Sequence, residues 1–290
     1  MLGSLHVTTV RGVPIKIHVT AFFLLPWFYG AVEAKGLPPG WAFWVTLLLI
    51  FLLLTSVALH ELGHTLVAQR YHMRVQDILL TPIGGVARLR GEVENPRHEI
   101  RIALAGPFVS LFLSAAGFLI SHLAFRLNWN LPGALASIFA FVNGMLFLFN
   151  LLPSFPMDGG RVLRGVLAQK KGMLEATRIA AGLGKSIAIG FIVIGLSTRH
   201  TNLAIIGVFI LWAGGSEYRM MKLRAMQEQM FGGAVLGSHS AAGGLSQVDI
   251  SPPPYASPTH RSAGGDLKGF WGDVVLTARD LLGEVFSFKR

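Results

Sequence analysis

The chain has 290 residues, of which 52% are hydrophobic and only 14% are Asp, Glu, Lys or Arg, with a formal net charge of +10 and a mean hydropathy of +0.55. Soluble domains carry roughly 25% charged residues, so this composition excludes an ordinary water-soluble enzyme and points to a membrane protein. The basic residues are scattered between apolar runs, without an aromatic-interleaved patch, which excludes nucleic acid as a partner; the absence of cysteine removes both a disulfide framework and a thiolate metal site.

Six apolar runs are predicted as membrane spans, since a crossing helix needs about 20 residues. The first, residues 17–32, follows Arg11 and Lys16, contains Pro26 and shows no small-residue cleavage signature, so it reads as a retained span. The second covers residues 41–68. After it, residues 75–80 and 86–89 look strand-like on either side of Thr81-Pro82-Ile83-Gly84-Gly85, which predicts a small membrane-associated β-hairpin between spans two and three. That hairpin is either a plain connection or an edge able to hold an unwound peptide by main-chain hydrogen bonds. The third run, residues 100–125, carries Gly106-Pro107, read as a packing or kink feature without chemistry. Runs four to six cover residues 131–152, 182–196 and 202–214, the last two short and separated by Thr198-Arg199-His200-Thr201. The expected fold is an all-α polytopic membrane protein of about six helices with that hairpin.

Lys and Arg alternate in density along this plan. The connection from span two to three holds Arg70, Arg74, Arg88, Arg90, Arg97 and Arg101, and that from four to five Arg161, Arg164, Lys170, Lys171, Arg178 and Lys185. The intervening loops hold only Lys35, Arg126 and Arg199. By the positive-inside rule both termini and the two basic loops face the cytoplasm.

Inside the second run stand His60, Glu61 and His64, in the order H-E-L-G-H. Ionisable side chains at membrane depth are costly and mark function. On a helix, His60 and His64 share a face and can offer two imidazoles to one metal, with Glu61 beside them as a general base. An open zinc site needs a third protein ligand. Asp158 is the candidate, in the segment Asn150-Leu-Leu-Pro-Ser-Phe-Pro-Met-Asp-Gly-Gly160, where Pro153 and Pro156 prevent regular helix and Gly159 and Gly160 allow unusual backbone angles. Read alone, that segment also fits an ordinary exit turn with a solvated Asp.

Together these residues resemble the site-2 protease family of intramembrane zinc metalloproteases, peptidase family M50. Pro82-Ile83-Gly84-Gly85 and Ala105-Gly106-Pro107 add to the likeness, which covers about residues 15–218. The compact bacterial and archaeal six-span branch fits best, with no room for an inserted PDZ domain or for CBS domains. The resemblance implies that His60, His64 and Asp158 bind one zinc ion, that Glu61 is the catalytic base, and that Asn150 assists the tetrahedral intermediate. Asn150 has an equally plain alternative role in capping loop backbone groups. The implied activity is hydrolysis of a peptide bond in or near a transmembrane segment, by zinc-activated water with Glu61 as general base. Expected partners are a transmembrane protein substrate and the lipid bilayer, with a second copy or a regulatory membrane protein left open. The expected location is a prokaryotic cell membrane. A catalytically silent scaffold of the same fold is the main alternative and a zinc transporter a weaker one. His6, His18, His72, His98, His122 and His200 stand at loops or span ends and His239 and His260 in the tail, so none is assigned a metal.

The protease domain is expected over residues 1–218. Residues 219–265 are expected as a short polar helix and a flexible Gly, Ser and Pro-rich linker. Residues 266–290 place apolar side chains at helical spacing among Lys and Asp, which predicts an amphipathic helix for the membrane surface or a partner.

Overall fold

Apolar residues recur at alternate positions at Leu5 and Val7 and again at Val13, Ile15 and Ile17, and this segment forms a hairpin of β1 (Ser4–Val10) and β2 (Val13–His18). Arg11 and Gly12 make its two-residue turn, with φ of 47° and 79°. Positive φ at both positions gives the turn whose twist matches the strands. The computed structural model describes residues 3–36, 38–82, 84–91, 93 and 95–240. The amphipathic helix expected at 266–290 and linker residues 241–265 lie outside the described residues.

The N-terminal hairpin corrects the plan for the first apolar run, whose opening residues Ile17 and His18 belong to β2. Next come a 3-10 turn (Val19–Phe23) and α1 (Leu24–Glu33). His18 caps that turn, its Nδ1 accepting from the Thr20 N–H at 3.3 Å. Pro26 sits in the first turn of α1, where its missing N–H costs no helical bond. Then follow α2 (Pro39–Arg70), β3 (Arg74–Thr81), β4 (Gly84–Arg90), α3 (Pro96–Arg126), α4 (Asn130–Asn150), α5 (Asp158–Lys171), α6 (Met173–Ser197) and α7 (Thr201–Ser240).

Among the described residues four helices, α2, α3, α4 and α6, are long and apolar enough to cross a bilayer. The first run yields only a shorter apolar helix, Val19–Glu33. The sixth opens α7, which continues unbroken through the polar residues 219–230. A count of six therefore depends on α1 and α7.

The expected hairpin between spans two and three is present as β3 and β4, with Val75 opposite Leu89 and Leu79 opposite Val86. It is half of a larger object, because β2 runs parallel to β3, Ile15 beside Ile78, and the four strands form one sheet in the order β1-β2-β3-β4. The fold is thus helical with a mixed sheet, and not all-α. Alternate residues of the sheet, Val13, Ile15, Ile78 and Leu80, turn to one side and bury against Val57 of α2, with Leu53, Leu54, Ala58 and Leu62 around them. This seats the sheet beside the helical turn that bears His60 and Glu61.

The helices pack through small residues, as membrane helices do where lipid offers no hydrophobic drive. A Cβ on Gly63 would meet the Ala105 carbonyl oxygen at 2.9 Å, so α2 and α3 touch backbone to backbone. Ser114 Oγ of α3 donates to the Ala140 carbonyl of α4 at 2.8 Å, and Ser121 and Ser137 share a hydrogen bond of 2.5 Å. Outward, Phe51, Phe118, Phe141 and Val193 are exposed, an apolar surface suited to lipid. Trp41, Trp44 and Trp129 stand exposed near helix ends, where amphipathic rings favour the interface.

Candidate metal centre

His60 and His64 lie one turn apart on α2 and are 3% and 8% exposed; Asp158 is the first residue of α5 and 8% exposed. The Asp158 Oδ2 atom is 3.2 Å from His60 Nε2 and 3.2 Å from His64 Nε2. The two Nε2 atoms are themselves 3.2 Å apart. Ligand atoms about 2.05 Å from a tetrahedral zinc are separated by roughly 3.3 Å, so the three donors have the size of one face of a zinc tetrahedron. Among the described residues no other group of three or more His, Asp or Glu is assembled in this way.

Glycine keeps the metal position open. A Cβ on Gly106 of α3 would lie 2.2 Å from His64 Nε2 and 2.7 Å from His60 Nε2, inside the space an ion bound by both nitrogens needs. The nitrogen, nitrogen and carboxylate donor set and the room that Gly106 leaves beside it both fit zinc. Gly106 was expected to matter for packing alone; the structure places it against both imidazoles.

The far sides of the two rings are also held by α3. His64 Nδ1 lies 2.7 Å from the Ile102 carbonyl oxygen, which can only accept, so Nδ1 carries the proton and Nε2 presents its lone pair to the centre. His60 Nδ1 lies 2.9 Å from Ser110 Oγ. Ile102, Gly106 and Ser110 are spaced by four and line one face of α3, which makes that helix the second wall of the site.

Glu61 points to the sheet. Its Oε2 accepts from the Ala87 N–H of β4 at 3.1 Å. As β4 is an edge strand, that N–H is turned away from the ladder towards α2. A Cβ on Gly85 would stand 2.3 Å from Glu61 Cγ, so only glycine admits the carboxylate there. In the same sheet, Asp77 of β3 is fully buried, taking a 2.5 Å bond from Arg88 Nε, a further short bond from Arg88 and a 2.9 Å bond from Lys16 Nζ. The Arg88 bonds foremost, and Lys16 beside them, outweigh burial and hold the Asp77 carboxyl below its ordinary range.

Asp158 reaches the histidines because the chain after α4 leaves the helix at Leu151 and re-enters one at Asp158. Gly159 and Gly160 were expected to supply unusual backbone angles, yet both are ordinary helical residues of α5, outside the positive-φ set. Their role is close approach: a Cβ on Gly159 would meet the Leu151 and Leu152 carbonyl oxygens at 2.3 and 2.4 Å, and one on Gly160 the Ser154 carbonyl carbon at 2.6 Å. Phe155 is buried in that loop, and the Arg164 guanidinium lies 5.1 Å from its ring centroid. Arg164 also binds Glu99 of α3, through Nε at 2.8 Å and a second shorter contact, and Glu217 of α7 at 3.0 Å. This triad fastens the aspartate-bearing helix to its neighbours.

Asn150, the last residue of α4, is half-buried, and its amide has no hydrogen-bond partner among the described residues. His60, His64 and Asp158 are therefore brought together, with Glu61 beside His60 on α2 and bonded to Ala87, while Asn150 makes no side-chain hydrogen bond among the described residues. Sequence reading missed Ser110, Arg164, Glu99, Glu217 and the steric part of Gly106. Only Gly106 carried a signal, its place in Ala105-Gly106-Pro107.

A buried His, His, Asp cradle of zinc dimensions, with a glutamate next to it on α2 and bilayer-length helices around it, is the outline of a membrane metalloprotein. The comparisons make this narrower. Residues 48–128 and 126–194 match Peptidase family M50, and the chain belongs to that family, within the site-2 proteases. A zinc metalloprotease of Methanocaldococcus jannaschii is 37% identical over 224 residues, which span 77% of this chain but 63% of that protein. Rip3 of Mycobacterium tuberculosis is 32% identical over 274 residues, 86% of this chain and 68% of its own length. The solved structure of the site-2 protease from Methanocaldococcus jannaschii superposes with a TM-score of 0.55 at 33% identity, covering 74% of this chain and 95% of that one.

Proposed function

We propose that this chain is an intramembrane zinc metalloendopeptidase that cuts a peptide bond in or near a transmembrane segment of a membrane protein. The observation that carries the reading is the 3.2 Å triangle of His60, His64 and Asp158 around the space left by Gly106. A zinc ion held there supplies Lewis acidity to a substrate carbonyl and to water. Glu61, next to His60 on α2, takes a proton from the attacking water and returns it to the leaving amine. Asn150, whose amide has no partner among the described residues, is assigned to donate to the developing oxyanion, a contribution of about 3 kcal/mol.

A transmembrane substrate must unwind before its amide is reachable, since a helix hides each peptide group in hydrogen bonds. The open edge of β4, which passes Glu61 at Ala87, is assigned to receive the unwound segment as an added strand. The basic connections face the cytoplasm, with both termini, in a prokaryotic cell membrane; α1 and α7 complete six spans.

The test measures zinc in the detergent-purified chain and cleavage of a membrane substrate in vesicles. Wild type is expected to hold about one zinc, as the three-ligand site requires; Asp158→Ala should lose most of it, and Glu61→Gln should keep zinc yet lose hydrolysis. Gly106→Ala should also lose zinc, because its methyl takes the ion's place. Zinc unchanged in Asp158→Ala would remove Asp158 from the site, and function retained in Glu61→Gln would leave only a scaffold.

A further inference from the structure

We propose that Ser110 is a positioning residue for the metal centre, holding the His60 ring with Nε2 turned to the ion; this rests on the zinc-site reading above. His60 and His64 are not supported alike. His64 is held by a main-chain carbonyl, Ile102, which no side-chain change removes and which permits only a protonated Nδ1. His60 depends on one side-chain hydroxyl, fully buried on α3 and 2.9 Å from Nδ1.

A metal-ligating histidine needs its other ring nitrogen to donate, because that bond fixes both tautomer and ring plane. For His60 to present a lone pair at Nε2, its Nδ1 must carry the proton, and Ser110 Oγ is the acceptor placed to receive it. Loss of that acceptor leaves the ring free to turn about its side-chain torsion or to place its proton on Nε2. Either change moves a donor away from the ion. Ser110 stands one turn beyond Gly106 and two beyond Ile102 on the same face of α3, so a single helix leaves room for the ion, fixes one imidazole by its backbone and the other by a hydroxyl.

The experiment uses the full chain in detergent and titrates zinc against a competing chelator for wild type, Ser110→Ala and Ser110→Thr. Visible spectra of the cobalt-loaded forms and thermal unfolding of the metal-free forms accompany it. Ser110→Ala is expected to weaken zinc binding about 10 to 100-fold and to shift the cobalt bands, with unfolding of the metal-free protein unchanged. Ser110→Thr, which keeps the hydroxyl, should restore affinity and spectrum. Wild-type affinity and an unaltered cobalt spectrum in Ser110→Ala would overturn the proposal. So would equal losses in both variants that follow a loss of stability in the metal-free protein, since that is packing. Absence of zinc from wild type would instead sink the metal-centre reading beneath it.

Discussion

Two ionic triads brace the elements that carry this site, one in the sheet and one among the helices, and they are built in reverse. In the sheet, one acid stands between two bases: Asp77 of β3 joins Lys16 of β2 and Arg88 of β4. Among the helices, one base stands between two acids: Arg164 of α5 joins Glu99 of α3 and Glu217 of α7. The first fixes the strand that meets Glu61, the second the helix that begins with Asp158. They differ in what is stranded when the hub is lost. Lys16 and Arg88 are 31% and 26% exposed at their side chains and can turn to water, whereas Glu99 is 5% exposed and cannot.

The largest effect should therefore follow removal of Arg164. Arg164→Met keeps volume near Phe155 but leaves Glu99 buried without its hydrogen-bonded cation, and stranding a buried charge costs about 3 to 5 kcal/mol. Since Asp158 heads the same helix, zinc affinity should fall with it. Thermal unfolding of the zinc-free protein reads the first consequence and a chelator titration the second. An unchanged midpoint would show that the helical triad contributes no net stability.

Asp77→Asn should do less, about 1 kcal/mol, because the Lys16 and Arg88 side chains are part-exposed and can be hydrated, and the amide still accepts a bond. The pH dependence sharpens this. The Asp77 carboxyl is held below its ordinary range by Arg88 and Lys16, so the unfolded chain binds the proton more readily than the folded one. Its contribution is fully present above the unfolded value of about 3.9 and is lost as pH falls through the lower folded value. The gap in unfolding midpoint between wild type and Asp77→Asn should hold steady from pH 7 to 5 and close on further acidification. A gap that widens towards acid would reverse the assignment.

Neither triad was legible in the sequence, because Asp77 lies 61 residues from Lys16 and Arg164 lies 65 from Glu99. Charges in isolation read as loop or interface residues. His60, Glu61 and His64 were legible, since helical periodicity alone sets them on one turn. Asp158 is legible through its flanking prolines, glycines and family likeness, whereas Gly159 and Gly160 serve close approach where the sequence predicts unusual backbone angles. Backbone freedom and close approach both select glycine, and only the fold separates them. The N-terminal hairpin does leave a visible signal, with Val13, Ile15 and Ile17 at alternate positions after the Arg11-Gly12 turn. That signal is ambiguous, because Ile15 and Ile17 serve equally as strand residues facing α2 and as the start of a span. Ser110 had no signal at all: a serine in a membrane helix is ordinary, and its meaning comes from His60, 50 residues away.

The smallest effect separates the two acids of the helical triad. Glu217 is 43% exposed at its side chain and reaches Arg164 by a single 3.0 Å contact, whereas Glu99 takes two bonds from the same guanidinium. An ion pair near water is screened and yields about 0.5 kcal/mol, so Glu217→Gln should barely move the unfolding midpoint and should leave zinc binding intact. Glu99→Gln should behave otherwise. It leaves Arg164 with its one partly hydrated partner on α7 and loosens the hold of α3 on α5, so zinc affinity should fall below that of Glu217→Gln. Equal zinc affinity in the two variants would mean that α5 is placed by its glycine contacts with the loop after α4, and that the triad only follows that placement.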